Sequence, residues 1–124
     1  MFEGFETRDI DTGDATIHCR IGGDGRALVL LHGYPQCGAC WHKLAPALAE
    51  RYRVIIPDLR GYGDSVGPTP DAENLLYSKR AMANDIAKVL DALSFDTAMV
   101  IGHDRGGRVA YRFALDHPGR ISKL

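Results

Sequence analysis

No apolar stretch in the sequence approaches the roughly 18–20 residues that a membrane-spanning helix needs. Neither charge sign dominates. Fifteen Lys and Arg stand against sixteen Asp and Glu, a formal net charge of −1, which gives no electrostatic case for nucleic acid or an anionic membrane. Cysteine is scarce, with only Cys19, Cys37 and Cys40, and an odd count argues against a disulfide framework. Cys37-Gly38-Ala39-Cys40 has the C-x-x-C spacing of redox and metal sites. No second C-x-x-C and no spaced His pair supplies further ligands, so two loop cysteines, no metal and no cofactor are expected. Internal repeats, low-complexity tracts and linkers are missing too. The opening residues, Met1 to Glu6, lack the basic segment and apolar core of a signal peptide, so a cytoplasmic location is expected. At 45% hydrophobic and 25% charged over 124 residues, the chain reads as ordinary globular sequence, one domain at most.

The hydrophobic pattern alternates between two periods. Residues 3–9 and 14–21 mix polar and apolar side chains around Asp11-Thr12-Gly13-Asp14, which predicts an antiparallel hairpin. Ala27 to Leu31 is continuously apolar, as is Val54 to Ile56, as expected of strands buried on both faces, and Thr97 to Ile101 is expected to be the third buried strand. Helical spacing follows each. Trp41, Leu44, Ala45, Leu48 and Ala49 fall at i, i+3, i+4, i+7 and i+8. Met82, Ile86, Val89, Leu90 and Leu93 form the stripe of a helix over about 78–93. Val109, Ala110, Phe113 and Ala114 face inward on a helix over about 105–117 that stops at His117-Pro118. Residues 60–77 form a loop punctuated by Gly61, Gly63, Gly67, Pro68 and Pro70. Strands alternating with helices imply a parallel sheet with helices on both faces. Ile121 to Leu124 resembles the lead-in to a further strand, so the third buried strand is expected at or near an open edge. Such an edge invites association, a homodimer being one form.

The third buried strand runs into Gly102-His103-Asp104-Arg105-Gly106 and then into helical sequence. Glycines at 102 and 106 allow strand and helix to approach closely, and allow the central residue strained backbone angles. This is the pattern of a nucleophile elbow, G-x-Nuc-x-G, with aspartate where serine is usual. A carboxylate with an ordinary pKa near 3.9 is already ionised at neutral pH, and the positive end of the following helix favours its charge. It needs no base to attack an sp3 carbon, displacing a halide or opening an epoxide to leave an ester. A base is needed only later, to activate the water that hydrolyses that ester. The competing reading is that Asp104 merely caps the helix.

A second element, Leu31-His32-Gly33-Tyr34-Pro35, follows the first buried strand. Ligands in a parallel sheet sit outside the carboxyl ends of the strands, so this loop should face the elbow. The backbone N–H groups of Tyr34 and Arg105 are candidates for an oxyanion hole, unless His-Gly-x-Pro is only a tight turn. Arg105 and Arg108, three apart, project from roughly one helical face. Cations in a first turn oppose the helix dipole, and local rules are most often broken at functional sites. Two guanidinium groups there suit a substrate carboxylate held bidentately. A small haloacid bound this way would present its carbon–halogen bond to Asp104. Alternatively, Arg108 pairs with Asp104 and Arg105 is solvated. Of the five histidines, His103 should point away from the elbow and His32 lies in the backbone-presenting loop, so none is placed as the base. Asp58 and Arg60 are expected to fix the loop after their strand, and Gly106-Gly107 meets neither phosphate-loop spacing.

Together these residues resemble the α/β-hydrolase fold superfamily, and within it the haloacetate (fluoroacetate) dehalogenases. The matching stretches are Leu31 to Gln36, Asp58 to Ser65, Tyr77 to Ala83, and Gly102 to Arg108 continuing to Asp116-His117-Pro118. The Asp104-Arg105-Gly106-Gly107-Arg108 cluster is the more specific of them. The resemblance implies an α/β-hydrolase fold with Asp104 as nucleophile and Arg105 and Arg108 gripping the substrate carboxylate. Haloalkane dehalogenases and epoxide hydrolases carry tryptophan after the aspartate, where this chain has Arg105. Haloalkane dehalogenases also often place Asn after His-Gly, where Tyr34 stands. The family further has a helical cap, a triad acid and a distant histidine, which would lie beyond Leu124. Residues 1–124 are therefore expected to form the N-terminal part of a single domain, unable to complete turnover alone. The expected substrate is a small molecule bearing a carboxylate. An epoxide hydrolase using the same ester, and a non-catalytic fragment that only binds, are the rival expectations.

Overall fold

The computed structural model describes residues 2–34, 36–69 and 75–124. Pro35 of the His-Gly-x-Pro loop and Pro70 of the long loop lie outside the described residues.

The hairpin forms later than expected, from β1 (Glu6–Asp11) and β2 (Thr16–Gly22), paired antiparallel with Glu6 opposite Ile21 and Asp11 opposite Thr16. Phe2 to Phe5 turn first, with Gly4 at φ 78° and the Phe5 N–H on the Phe2 carbonyl, so extended chain begins only at Glu6. β2 buries Ile17, Cys19 and Ile21 on one face, the period of two that a half-covered strand shows. It runs antiparallel to β4 (Arg53–Pro57). β3 (Ala27–Leu31), buried throughout, lies parallel between β4 and β5 (Ala98–Gly102). β6 (Ile121–Lys123) pairs with Ala98 and Met99 of β5. The sheet order is β1-β2-β4-β3-β5-β6.

Two expectations are corrected here. Ile121 to Lys123 is itself a strand rather than the lead-in to one, so β5 is not an edge strand at its first two residues. The stretch 41–49 is not one helix. A 3-10 turn covers Gly38–Trp41 and a single α-turn, α1, covers Ala45–Leu48. Pro46 is the cause: it has no N–H to donate back to His42, so a helix cannot run through it and starts just before it. Leu44, expected inward, is exposed as a result.

The longer helices follow their stripes. α2 (Lys79–Ala92) begins where the Ser78 side chain accepts the Ala81 N–H at 3.0 Å, and buries Met82, Ile86, Val89 and Leu90. α3 (Arg105–Asp116) buries Val109, Ala110 and Phe113 and ends before Pro118. Both cover one sheet face, packing on Ile17, Val29, Leu31, Ile55 and Val100. Trp41 and Ala45 cover the other, against Leu28, Leu30, Val54 and Ile56. Because the chain leaves β3 for β4 on one side and then crosses to β5 on the other, β3 is a topological switch point. The loops after β3 and β5 must therefore meet at the carboxyl edge.

Candidate active site

At the end of β5 the backbone turns through Asp104 at φ 55°, ψ −117°, a strained conformation for a residue with a side chain. The glycines beside it are there for closeness. A Cβ on Gly102 would meet the Gly106 carbonyl oxygen at 2.4 Å. One on Gly106 would meet the carbonyl oxygens of Leu31 at 2.2 Å and His32 at 2.5 Å. The His103 N–H donates to the Leu31 carbonyl at 3.0 Å, and the Gly106 N–H to the His103 carbonyl at 2.8 Å, so the turn is pinned to β3.

The loop after β3 meets the elbow as the topology requires. The Tyr34 N–H donates to Asp104 Oδ2 at 3.1 Å. Together with the Arg105 N–H, it holds the exposed Asp104 carboxyl below the usual carboxylate range, with smaller help from His103 and Arg108. A Cβ on Gly33 would stand 2.6 Å from Asp104 Cβ, so the contact needs glycine at that position. The two predicted oxyanion donors thus converge on one carboxylate.

Behind that loop, His32 is fully buried. The Leu59 N–H can only donate, so His32 Nε2 accepts from it at 2.9 Å. The proton therefore sits on Nδ1, which donates to the Gly33 carbonyl at 2.9 Å. Burial pushes the His32 pKa down and keeps the ring neutral. As expected, Asp58 and Arg60 fix the loop after β4. Buried Asp58 accepts the N–H groups of Gly38 at 2.6 Å and Asp64 at 2.9 Å. Buried Arg60 forks onto both oxygens of Asp85 at 2.7 Å and reaches Asp14 and the Leu76 carbonyl. Tyr62, at the tip of this loop, packs edge-on against His32 and Tyr34 at centroid distances of 5.4 and 6.2 Å.

The arginine pair divides. The half-buried Arg105 lays its guanidinium over the Tyr34 ring, 4.4 Å from the centroid, and donates from Nη1 to Tyr62 Oη at 3.0 Å. Arg108 is exposed and forms no side-chain ion pair with Asp104 among the described residues, so the alternative pairing is not what the structure contains. Both arginines press on Lys79, the first residue of α2. Burial first, then these two charges, lower its pKa. Sequence reasoning assigned no role to Tyr62 or Lys79. The available signals were an aromatic between two glycines, Gly61 and Gly63, and a third cation opening a helix.

Other groups stay apart from the elbow. His18 bonds Asp9 at 2.7 Å and His117 bonds Asn84 at 2.9 Å. No histidine ring bonds the Asp104 carboxylate among the described residues. Cys37, just before the 3-10 turn, and Cys40, within it, are unlinked, and the buried Cys19 thiol is pushed up to about 12 by burial. No group of three or more His, Cys, Asp and Glu side chains that could hold a metal ion occurs among the described residues.

Comparison with known proteins agrees with this fold. The family model for the alpha/beta hydrolase fold matches residues 26–124. The chain is 50% identical over all 124 residues to a fluoroacetate dehalogenase from Burkholderia sp., spanning 41% of that protein. Over 108 residues it is 44% identical to a soluble epoxide hydrolase from Corynebacterium sp. strain C12, covering 87% of this chain and 36% of that one. A solved structure described as an α/β hydrolase, from Nostoc sp. PCC 7120, superposes with a TM-score of 0.98 at 50% identity, over 100% of this chain and 43% of that one. The chain therefore spans about two fifths of the length of these relatives, and it belongs to the alpha/beta hydrolase fold family.

Proposed function

We propose that this chain supplies the nucleophile and the acid-binding residues of a hydrolase that cleaves the carbon–halogen bond of short 2-haloacids. The observation that carries this reading is one carboxylate, Asp104, held by two backbone N–H groups with two arginines in the same turn. In the proposed reaction Arg105 and Arg108 bind the substrate carboxylate, and Asp104 Oδ1 attacks the halogen-bearing carbon. A carbon–oxygen bond forms, the carbon–halogen bond breaks, and halide leaves with its electron pair. Oδ2 becomes the carbonyl oxygen of the ester. The Tyr34 and Arg105 N–H groups then face the charge that develops there when water adds to the ester carbon. Breakdown of that adduct restores the carboxylate and releases the hydroxy acid and a proton.

The 44% identity to an epoxide hydrolase supports a second reading, in which the same carboxylate opens an epoxide. That substrate is neutral and leaves the two arginines without an anion to bind.

One experiment separates these readings. The protein is incubated with chloroacetate, fluoroacetate or styrene oxide, and the Asp104 peptide is examined by mass spectrometry alongside fluoride release. A carboxymethyl ester on Asp104, absent in Asp104→Asn, supports the haloacid reading. An Asp104 adduct with styrene oxide alone supports the epoxide reading. Ligand binding without any adduct or release supports a binding-only protein and overturns both.

A further inference from the structure

We propose that Tyr62 is a positioning residue for anion selectivity, its hydroxyl fixing the Arg105 guanidinium so that the fork meets a carboxylate rather than a neutral group at Asp104. This rests on the haloacid reading above. Arg105 has one donor spent on Tyr62 Oη at 3.0 Å and one face laid on the Tyr34 ring at 4.4 Å. A guanidinium with a covered face and one anchored nitrogen keeps its remaining donors in a fixed plane, as bidentate carboxylate recognition needs. Left free, the same side chain would have to lose its rotamer freedom on each binding event.

Tyr62 is itself held on both sides. Its N–H donates to the Leu59 carbonyl at 2.9 Å, and its carbonyl accepts the Ser65 N–H at 3.0 Å. The loop on either side is pinned, by buried Arg60 on Asp85 before it and by the Asp64 N–H on buried Asp58 after it, and the ring leans on the neutral His32. The rigidity of two buried charges is thus carried to a hydroxyl, and from it to the first residue after the nucleophile. In this reading Tyr62 acts on substrate only through Arg105, so its effect should fall on charge discrimination and spare the carboxylate that reacts.

The test compares chloroacetate with chloroacetamide, a neutral reagent of nearly the same size, as esterifying agents of Asp104, with the Asp104 peptide mapped so that cysteine alkylation does not count. Tyr62→Phe keeps the ring and its contacts and removes only the acceptor. The expected result is a roughly tenfold loss of preference for chloroacetate, seen as a higher half-saturating concentration at a little-changed limiting rate, with the chloroacetamide reaction within about twofold of the parent. In an Arg105→Met background, Tyr62→Phe should change nothing further, because the group it positions is gone. A preference retained in Tyr62→Phe, or both reagents slowed alike, would overturn this role while leaving the haloacid reading intact. Failure of the parent protein to form an Asp104 ester with either reagent would overturn both.

Discussion

The main-chain N–H of Tyr34 donates to Oδ2 of Asp104 at 3.1 Å, tying the loop after β3 to a residue 70 positions further along the chain. With the Arg105 N–H, that bond favours the ionised carboxyl and lowers its pKa from the usual 3.8. The reactive form therefore persists to lower pH than in a free aspartate. The rate of Asp104 esterification by chloroacetate should be nearly constant from neutral pH to about pH 5 and fall to half only below pH 3.8. Quantifying the modified peptide across that range checks this. A rate that halves near pH 5 would contradict it.

The two adjacent glycines of α3 should respond oppositely to alanine. At Gly106 the new methyl would lie 2.2 Å from the Leu31 carbonyl oxygen, backbone against backbone. Neither side can yield cheaply, and a loss of about 3 kcal/mol is expected in urea denaturation. At Gly107 the nearest atom is 3.5 Å away, an ordinary contact. There Gly107→Ala should stabilise by about 0.5–1 kcal/mol through helix propensity. Equal effects at the two positions would mean that strand–helix closeness is not what fixes Gly106.

That contrast shows how much of the site the sequence made legible. Gly102, Asp104 and Gly106 carry their geometry locally, because a strand turning into a helix with glycines at both flanks leaves few backbone solutions. Two of the three buried strands were equally plain, since apolar runs such as Ala27 to Leu31 need cover on both faces, but β5 is covered on one face only, with Ile101 exposed and Met99 half-buried. The stretch 41–49 misled because side-chain periodicity does not register a missing N–H, and Pro46 decided it. Tyr62 and Lys79 could not be placed from spacing. Tyr62 bonds Arg105 from another loop and Lys79 feels its charge from another helix, and such long-range relations leave no period in the sequence.

His32 makes stability depend on pH. Its folded pKa is pushed below the ordinary 6.5 by burial, while in the unfolded chain it returns there. Below pH 6.5 the unfolded chain binds more protons than the folded one, so unfolding free energy declines as the pH falls. Above 6.5 both forms are neutral and the contribution is complete. Urea titrations between about pH 7.5 and pH 5.5 should show a falling midpoint on the acid side. A flat or rising midpoint would mean that the Leu59 N–H is not held by a neutral ring.

The Arg60 cluster should be steeply uneven. Asp85 and Arg60 are both nearly inaccessible and face each other through two 2.7 Å bonds. Asp85→Leu would leave a buried cation with only Asp14 and the Leu76 carbonyl, at a cost of about 3–5 kcal/mol. Asp14 has half its side chain in solvent, so Asp14→Asn should cost under about 1 kcal/mol despite its two bonds to Arg60. Paired denaturation curves test the ratio. Comparable losses would show that burial does not set the strength of these bonds.

Lys79 offers a way to measure the field of the arginine pair without any substrate. Its ammonium is pushed below the ordinary 10.5 mainly by burial, and then by the like charges of Arg105 and Arg108. Removing one of those charges should raise its pKa. Arg108→Leu is the cleaner change, since Arg108 is exposed, whereas Arg105 is bound to Tyr62. The rise should be partial, because burial and the Arg105 charge remain, and it should shrink as salt is added, because salt already screens the Arg108 charge in the parent. An NMR titration of the Lys79 ε-methylene, in parent and variant, reads both effects. A Lys79 pKa that falls or stays fixed on loss of Arg108 would mean that the Arg108 charge does not act at the start of α2.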